Sequence, residues 1–165
     1  MSFVERAADR VAQALALVGS LGVIALLVHV TVDVAMRNLT GQPIPATNEI
    51  VSHYYMVLIA FLPLAWVERG RAMISVEVIE AALPAPVRRL SDALVALLAA
   101  VIYAAIAWVS WDVALKNWKI GSFVDVLGHQ IPIWPSYFLP PAGFLLAALV
   151  VLLRAHTTLL GDTRR

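Results

Sequence analysis

The chain has 165 residues, of which 61% are hydrophobic and 14% charged, with a mean hydropathy of +0.84 and a formal net charge of +1. Four long apolar runs leave room for turns and little else, which argues against a soluble domain of this size, since a small fold cannot bury them all. The arginines are dispersed at the ends of the runs rather than gathered in a stripe, so nucleic acid is excluded as a partner, and with no cysteine there is neither a disulfide nor thiolate chemistry.

Arg6 and Arg10 lead into the first uncharged run, residues 11–32. Roughly 20 apolar residues cover about 30 Å of hydrocarbon, so a first span is expected over residues 11–33. No small-x-small site ends the run before Asp33, which favours a retained helix over a cleaved leader. Gly19, Ser20 and Gly22 form a small-residue seam suited to close helix packing. At the outer end, Asp33 and Arg37 stand one helical turn apart and are expected to pair. The loop from Arg37 through Gly41-Gln42-Pro43-Ile44-Pro45 reads as an ordered turn. Asn48 is expected to cap the second span, with Glu49 in its favourable first turn. That span covers residues 50–67, bent by Pro63 and held at the interface by Trp66.

Residues 73–80 mix apolar and acidic side chains before Leu83-Pro84-Ala85-Pro86. They read as an interfacial segment lying along the inner membrane surface. Arg88 and Arg89 then anchor the third span, residues 91–111, against anionic headgroups of membrane phospholipids. Trp108, Trp111, Asp112 and Trp118 gather around its outer end, where Asp112 and Lys116 offer a second pair four residues apart. The outer loop runs through Lys119, Gly121, Asp125 and His129 to Ile131-Pro132-Ile133-Trp134-Pro135. Trp134, Tyr137 and Phe138 mark the return into the membrane for a fourth span, residues 134–153, with a break expected at Pro140-Pro141 and Gly143. Trp111, Trp118 and Trp134 are candidates for interfacial anchoring and for partner contact. The whole chain, residues 1–165, is read as one all-α, polytopic domain with four transmembrane helices. Nine basic residues (Arg6, Arg10, Arg69, Arg71, Arg88, Arg89, Arg154, Arg164 and Arg165) flank one side and three (Arg37, Lys116 and Lys119) the other. That asymmetry places both termini and the middle loop in the cytoplasm.

The spans are aliphatic at mid-membrane, apart from Ser52, His53, Tyr54 and Tyr55 high in the second. A transporter complete in itself needs polar groups or broken helices at that depth, so the pattern suits a scaffold for another membrane protein. No nucleophile or metal-ligand set accompanies the charged residues, and no enzyme is expected. Asp33, Arg37 and Glu49 form the leading polar constellation, placed to hold spans 1 and 2 together or to face a partner. His29 and His53 supply the alternative: two imidazoles on facing helices are the ligands of a haem-bearing membrane anchor for electron transfer. A third reading is an autonomous channel or exporter.

In order and spacing, these features resemble the small membrane subunit of tripartite ATP-independent periplasmic (TRAP) transporters. The likeness rests on Asp33 and Arg37, Gly41-Gln42-Pro43, Glu49 heading span 2, the 70–83 segment, and Ile131-Pro132-Ile133-Trp134 followed by Pro141 and Gly143. Where the family often has histidine before isoleucine in the middle loop, this chain has Met73. The resemblance implies a cell inner-membrane subunit, without a cofactor, that braces a large permease subunit. It also implies a periplasmic solute-binding protein docking at the outer face, and uptake of an organic anion such as a carboxylate driven by an ion gradient, usually sodium. Asp33, Arg37 and Glu49 would organise the outer side of that complex.

Overall fold

A computed structural model describes residues 3–69 and 84–159. Helix α1 (Phe3–Thr40) is followed by α2 (Thr47–Arg69), and then by α3 (Ala85–Ile120). An antiparallel hairpin follows, β1 (Phe123–Val126) with β2 (His129–Pro132). A 3-10 turn (Trp134–Phe138) then leads into α4 (Leu139–Leu159). Four stretches among the described residues are long and apolar enough to cross a membrane, and the protein is an all-α, multi-pass membrane protein. One end of the bundle carries the α1–α2 loop and the hairpin, and the other carries the chain ends of α1 and α4.

The last helix is the hub. α4 packs along α3 and also touches α2 and α1, which leaves α1 and α3 as flanks. It buries a stripe of Gly143, Ala147, Ala148, Val150, Val151 and Ala155. Ala96 and Ala100 of α3 meet Val151 and Ala155 in one cluster, while Ala12 of α1 and Ala65 of α2 meet Val150 in another. Between lipid-solvated helices the hydrophobic effect gives no net drive, and small residues let backbones approach until dispersion contacts accumulate. The seam expected in α1 is used in this way. Gly19 lies so close to Pro63 of α2 that a Cβ there would come within 2.8 Å of its Cγ, and Gly22 is seated on Leu58.

α2 is not one regular helix. An α-helical start gives way to a π-helical segment (Val51–Tyr55), regular helix resumes at Met56–Phe61, and a break at Leu62-Pro63 precedes Leu64–Arg69. Proline has no N–H to give and its ring crowds the preceding turn. The bend expected at Pro63 is therefore present, and both Trp66 and Val67 donate their N–H groups to the Pro63 carbonyl.

Two helices outrun their expected spans. At about 1.5 Å per residue, the 38 residues of α1 and the 36 of α3 extend about 57 and 54 Å, well beyond about 30 Å of hydrocarbon. Residues 37–40 and 112–120, expected as loop or loop edge, are thus helical. α3 stops at Gly121, a left-handed C-cap (φ +66°) where the Gly121 N–H donates to the Trp118 carbonyl and the Ser122 N–H to the Asn117 carbonyl. Pro140 and Pro141 fall in the first turn of α4, where a missing N–H costs nothing, so the expected break is the change from 3-10 to α-helix just before them. The 73–80 segment, with Met73 and Glu77, lies outside the described residues. Arg88 and Arg89 lie in the opening turns of α3.

Candidate functional site

The α1–α2 connection is built around one carboxylate. Asp33, on α1, is only 5% exposed, although its place near a helix end would ordinarily leave it in solvent. Gly41 (φ +72°) turns the chain out of α1 and Ala46 (φ +63°) turns it into α2, folding residues 41–46 back over the Asp33 side chain. Asp33 Oδ1 accepts the Ile44 N–H at 2.7 Å and the Thr47 hydroxyl at 3.0 Å. The guanidinium of Arg37 stands 3.6 Å from Oδ2, with its own side chain 64% exposed. The pairing expected at i, i+4 is present, and the larger share of the holding is done by the backbone and Thr47.

Thr47 extends the network. Its hydroxyl also lies 3.1 Å from the Ile44 carbonyl and 3.4 Å from His29 Nε2. His29 Nδ1 is 3.5 Å from the Tyr55 hydroxyl, and the two rings meet edge to face at 5.7 Å. Both imidazole nitrogens of the half-buried His29 thus face α2 side chains, an interhelical role; His53 also lies half-buried, on the π-helical segment. The cap expected from Asn48 is absent: Ala46 is the N-cap residue, without a side-chain hydrogen bond, and Asn48 lies inside the first turn. Asp33, reaching across from α1, takes over the orienting task.

The hairpin completes this end. Leu127 and Gly128, with φ of +54° and +81°, form its two-residue turn, the twist-matched type that favours glycine second. The Gly128 N–H donates to Asp125 Oδ1 at 3.0 Å. At its base, the Ser122 carbonyl accepts the Ile133 and Trp134 N–H groups, and the Tyr54 hydroxyl of α2 donates to the Pro132 carbonyl. The tip, Val126 and Leu127, therefore closes one side of an open cleft of about 410 Å3, whose other walls include Asp33, Arg37, Glu49, Asn48 and the prolines of the α1–α2 loop.

The structure thus brings Asp33, Arg37 and Glu49 to one cleft. Trp111 and Trp134 are joined through Phe138, with ring centroids at 5.8 and 6.4 Å. Trp118 is exposed and apart from them, and Trp66 is half exposed towards the other end of α2. Sequence reasoning missed Thr47 and Tyr55 as network members, and missed Glu68 altogether. Glu68 ends the apolar run of α2, is 8% exposed, and accepts a hydrogen bond from the Tyr103 hydroxyl of α3. Its signal was an acid directly abutting that run, opposite a tyrosine in the next. Tyr103→Phe keeps the ring beside Phe144 and removes one donor from a buried carboxylate. It is expected to lower stability by about 1–2 kcal/mol, read as a lower thermal midpoint in detergent. Among the described residues no three His, Cys, Asp or Glu side chains gather into a metal-binding group.

Comparison with known families gives one result. The model of the family described as tripartite ATP-independent periplasmic transporters, DctQ component, matches residues 26–161, a stretch that runs from the middle of α1 past the end of α4. No curated protein matches the chain.

Proposed function

This chain belongs to the DctQ component family of tripartite ATP-independent periplasmic transporters, as a non-catalytic multi-pass membrane subunit, and from that premise we propose that it braces the large permease subunit and helps dock the periplasmic solute-binding protein. Uptake of an organic anion such as a carboxylate, driven by an ion gradient, is then the work of the assembled complex. In this reading the hairpin end faces the periplasm, both termini face the cytoplasm, and the basic residues at the terminal end follow the positive-inside bias.

The observation that carries the proposal is the placing of the buried charges. Asp33 and Glu68 are the buried ionisable side chains among the described residues, and they lie towards opposite ends of α1 and α2. Each accepts hydrogen bonding from a neighbouring segment, and between them α1 and α2 pack closely through Gly19 on Pro63 and Gly22 on Leu58. Ionisable side chains deep in a span usually mark a substrate or ion pathway; these two, near the ends of the spans, tie neighbouring segments together, which is what a brace requires. The uncovered flanks suit the same role. Leu17, Leu21, Ile24 and Leu27 of α1, with Leu94, Leu98 and Val101 of α3, are all more than half exposed and available to lipid or to a partner helix.

Arg37, exposed at the rim of the cleft, is the side chain that the bracket offers outward. Arg37→Glu is expected to reduce recovery of a large multispan permease in a mild-detergent pull-down, and to reduce transport, more than Arg165→Glu does. Equal recovery and equal transport would remove Arg37 from the interface. Recovery of redox subunits in place of a permease would overturn the assembly role itself.

A further inference from the structure

The cleft between the α1–α2 loop and the hairpin tip has a feature that bracing does not use: it carries opposite charges on walls of mixed polarity. Arg37 supplies a guanidinium that is 64% exposed and held only loosely by Asp33, at 3.6 Å. Glu49, on the first turn of α2, lines the same space. Beside them stand Ile44, Val126 and Leu127, and Leu127 is 86% exposed. Exposed on the hairpin turn, this leucine can lie against acyl chains and bury apolar area there. The cleft opens where the apolar stretches of α1 and α2 end and begin, on the bundle end that carries Trp108, Trp111, Trp118 and Trp134, the residue type that concentrates at membrane interfaces.

We propose that this cleft binds the headgroup of a phospholipid bearing a primary amine, a phosphoethanolamine lipid. Arg37 takes the phosphate, Glu49 takes the ammonium, and Leu127 with Val126 lies against the glycerol and upper acyl region. Guanidinium forks suit phosphate oxygens. A carboxylate beside a three-donor ammonium gains charge-assisted hydrogen bonds that a trimethylated choline cannot make. The site therefore distinguishes two zwitterionic lipids of equal net charge, which bulk electrostatics cannot do. A volume of about 410 Å3 falls in the range of small-ligand sites, about 300–1,000 Å3.

The test is native mass spectrometry of the full chain in detergent, titrated with dioleoyl phosphatidylethanolamine and dioleoyl phosphatidylcholine in parallel. The wild-type chain is expected to retain the ethanolamine lipid about five-fold better, as a partly exposed charge pair allows. Glu49→Gln is expected to abolish that preference while leaving choline-lipid binding unchanged, and Arg37→Gln to weaken both lipids together. Equal retention of the two lipids by the wild-type chain, or a preference that survives Glu49→Gln, would overturn the proposal. Glu49 has no part in the Asp33 network, so its amide variant folds like the parent and keeps the test decisive. Because the isolated chain is used, the outcome is independent of the bracing role.

Discussion

Replacing Gly143 with alanine is expected to be among the most damaging single changes in this protein, although it adds one methyl group to an apolar helix. A Cβ at that position would stand 2.3 Å from the Phe61 carbonyl oxygen and 3.0 Å from its carbon. Those atoms are backbone and cannot rotate aside, so α2 and α4 must separate. α4 is the helix that the other three share, so a separation there loosens contacts with α2 and strains those with α3 and α1. Overpacking of a close-packed interior costs about 1–3 kcal/mol, with the upper part of that range expected where backbone meets backbone. Gly22→Ala provides the comparison. The added methyl would approach Leu58 Cδ2 at 2.5 Å, the far end of a flexible side chain that a rotamer change can move, and the expected loss is smaller. Thermal unfolding in one detergent should place Gly143→Ala well below Gly22→Ala; equal midpoints would show that the α2–α4 contact yields more readily than its geometry implies.

The second large effect is expected at Asp33. Truncation to alanine leaves the Ile44 N–H and the Thr47 hydroxyl without the acceptor that now holds both, and Thr47 then loses its fixed place beside His29. Hydrogen bonds to a charged group contribute about 1.5–3 kcal/mol each, and although Thr47 keeps the Ile44 carbonyl as a second acceptor, the part-buried Ile44 N–H loses the partner that fixes the loop. Asp33→Ala should therefore lower stability by about 3 kcal/mol or more. Arg37→Ala, which removes the exposed partner of the same carboxylate, should cost less than about 1 kcal/mol. The two variants separate folding from assembly: Asp33 organises the loop, and Arg37 is what the loop presents. Partner recovery at matched folded protein should fall for Arg37→Glu with little change in thermal midpoint, whereas Asp33→Ala should lower the midpoint first. A large stability loss from Arg37→Ala would mean that the 3.6 Å contact holds the loop after all.

These expectations divide along what a linear pattern can carry. Each of the four apolar runs is a local property of about 20 consecutive residues, and a bilayer imposes helix on any such run because every backbone group must be satisfied within it. That made the all-α class, the four spans, the bend at Pro63 and the Asp33–Arg37 pair legible from the order of residues alone, as were the features that resemble the family to which the chain belongs. The hairpin was not legible, for the strands of 123–126 and 129–132 are too short to announce themselves beside a run of interfacial aromatics. Nor was the loop-end length of α1 and α3, since polarity beyond the hydrocarbon reads as loop whether or not the helix continues.

What the tertiary structure alone decided are the pairings across helices. Nothing in the string of residues makes α4 the hub, presses Gly143 onto the Phe61 carbonyl, joins Glu68 to Tyr103, or brings the Leu127 turn beside Arg37 and Glu49. The physical reason is that lipid solvates every apolar face about equally well. Hydropathy can therefore say that a helix lies in the membrane but not which of its faces meets a neighbour, and that choice falls to small residues and a few hydrogen bonds whose partners are distant in the chain.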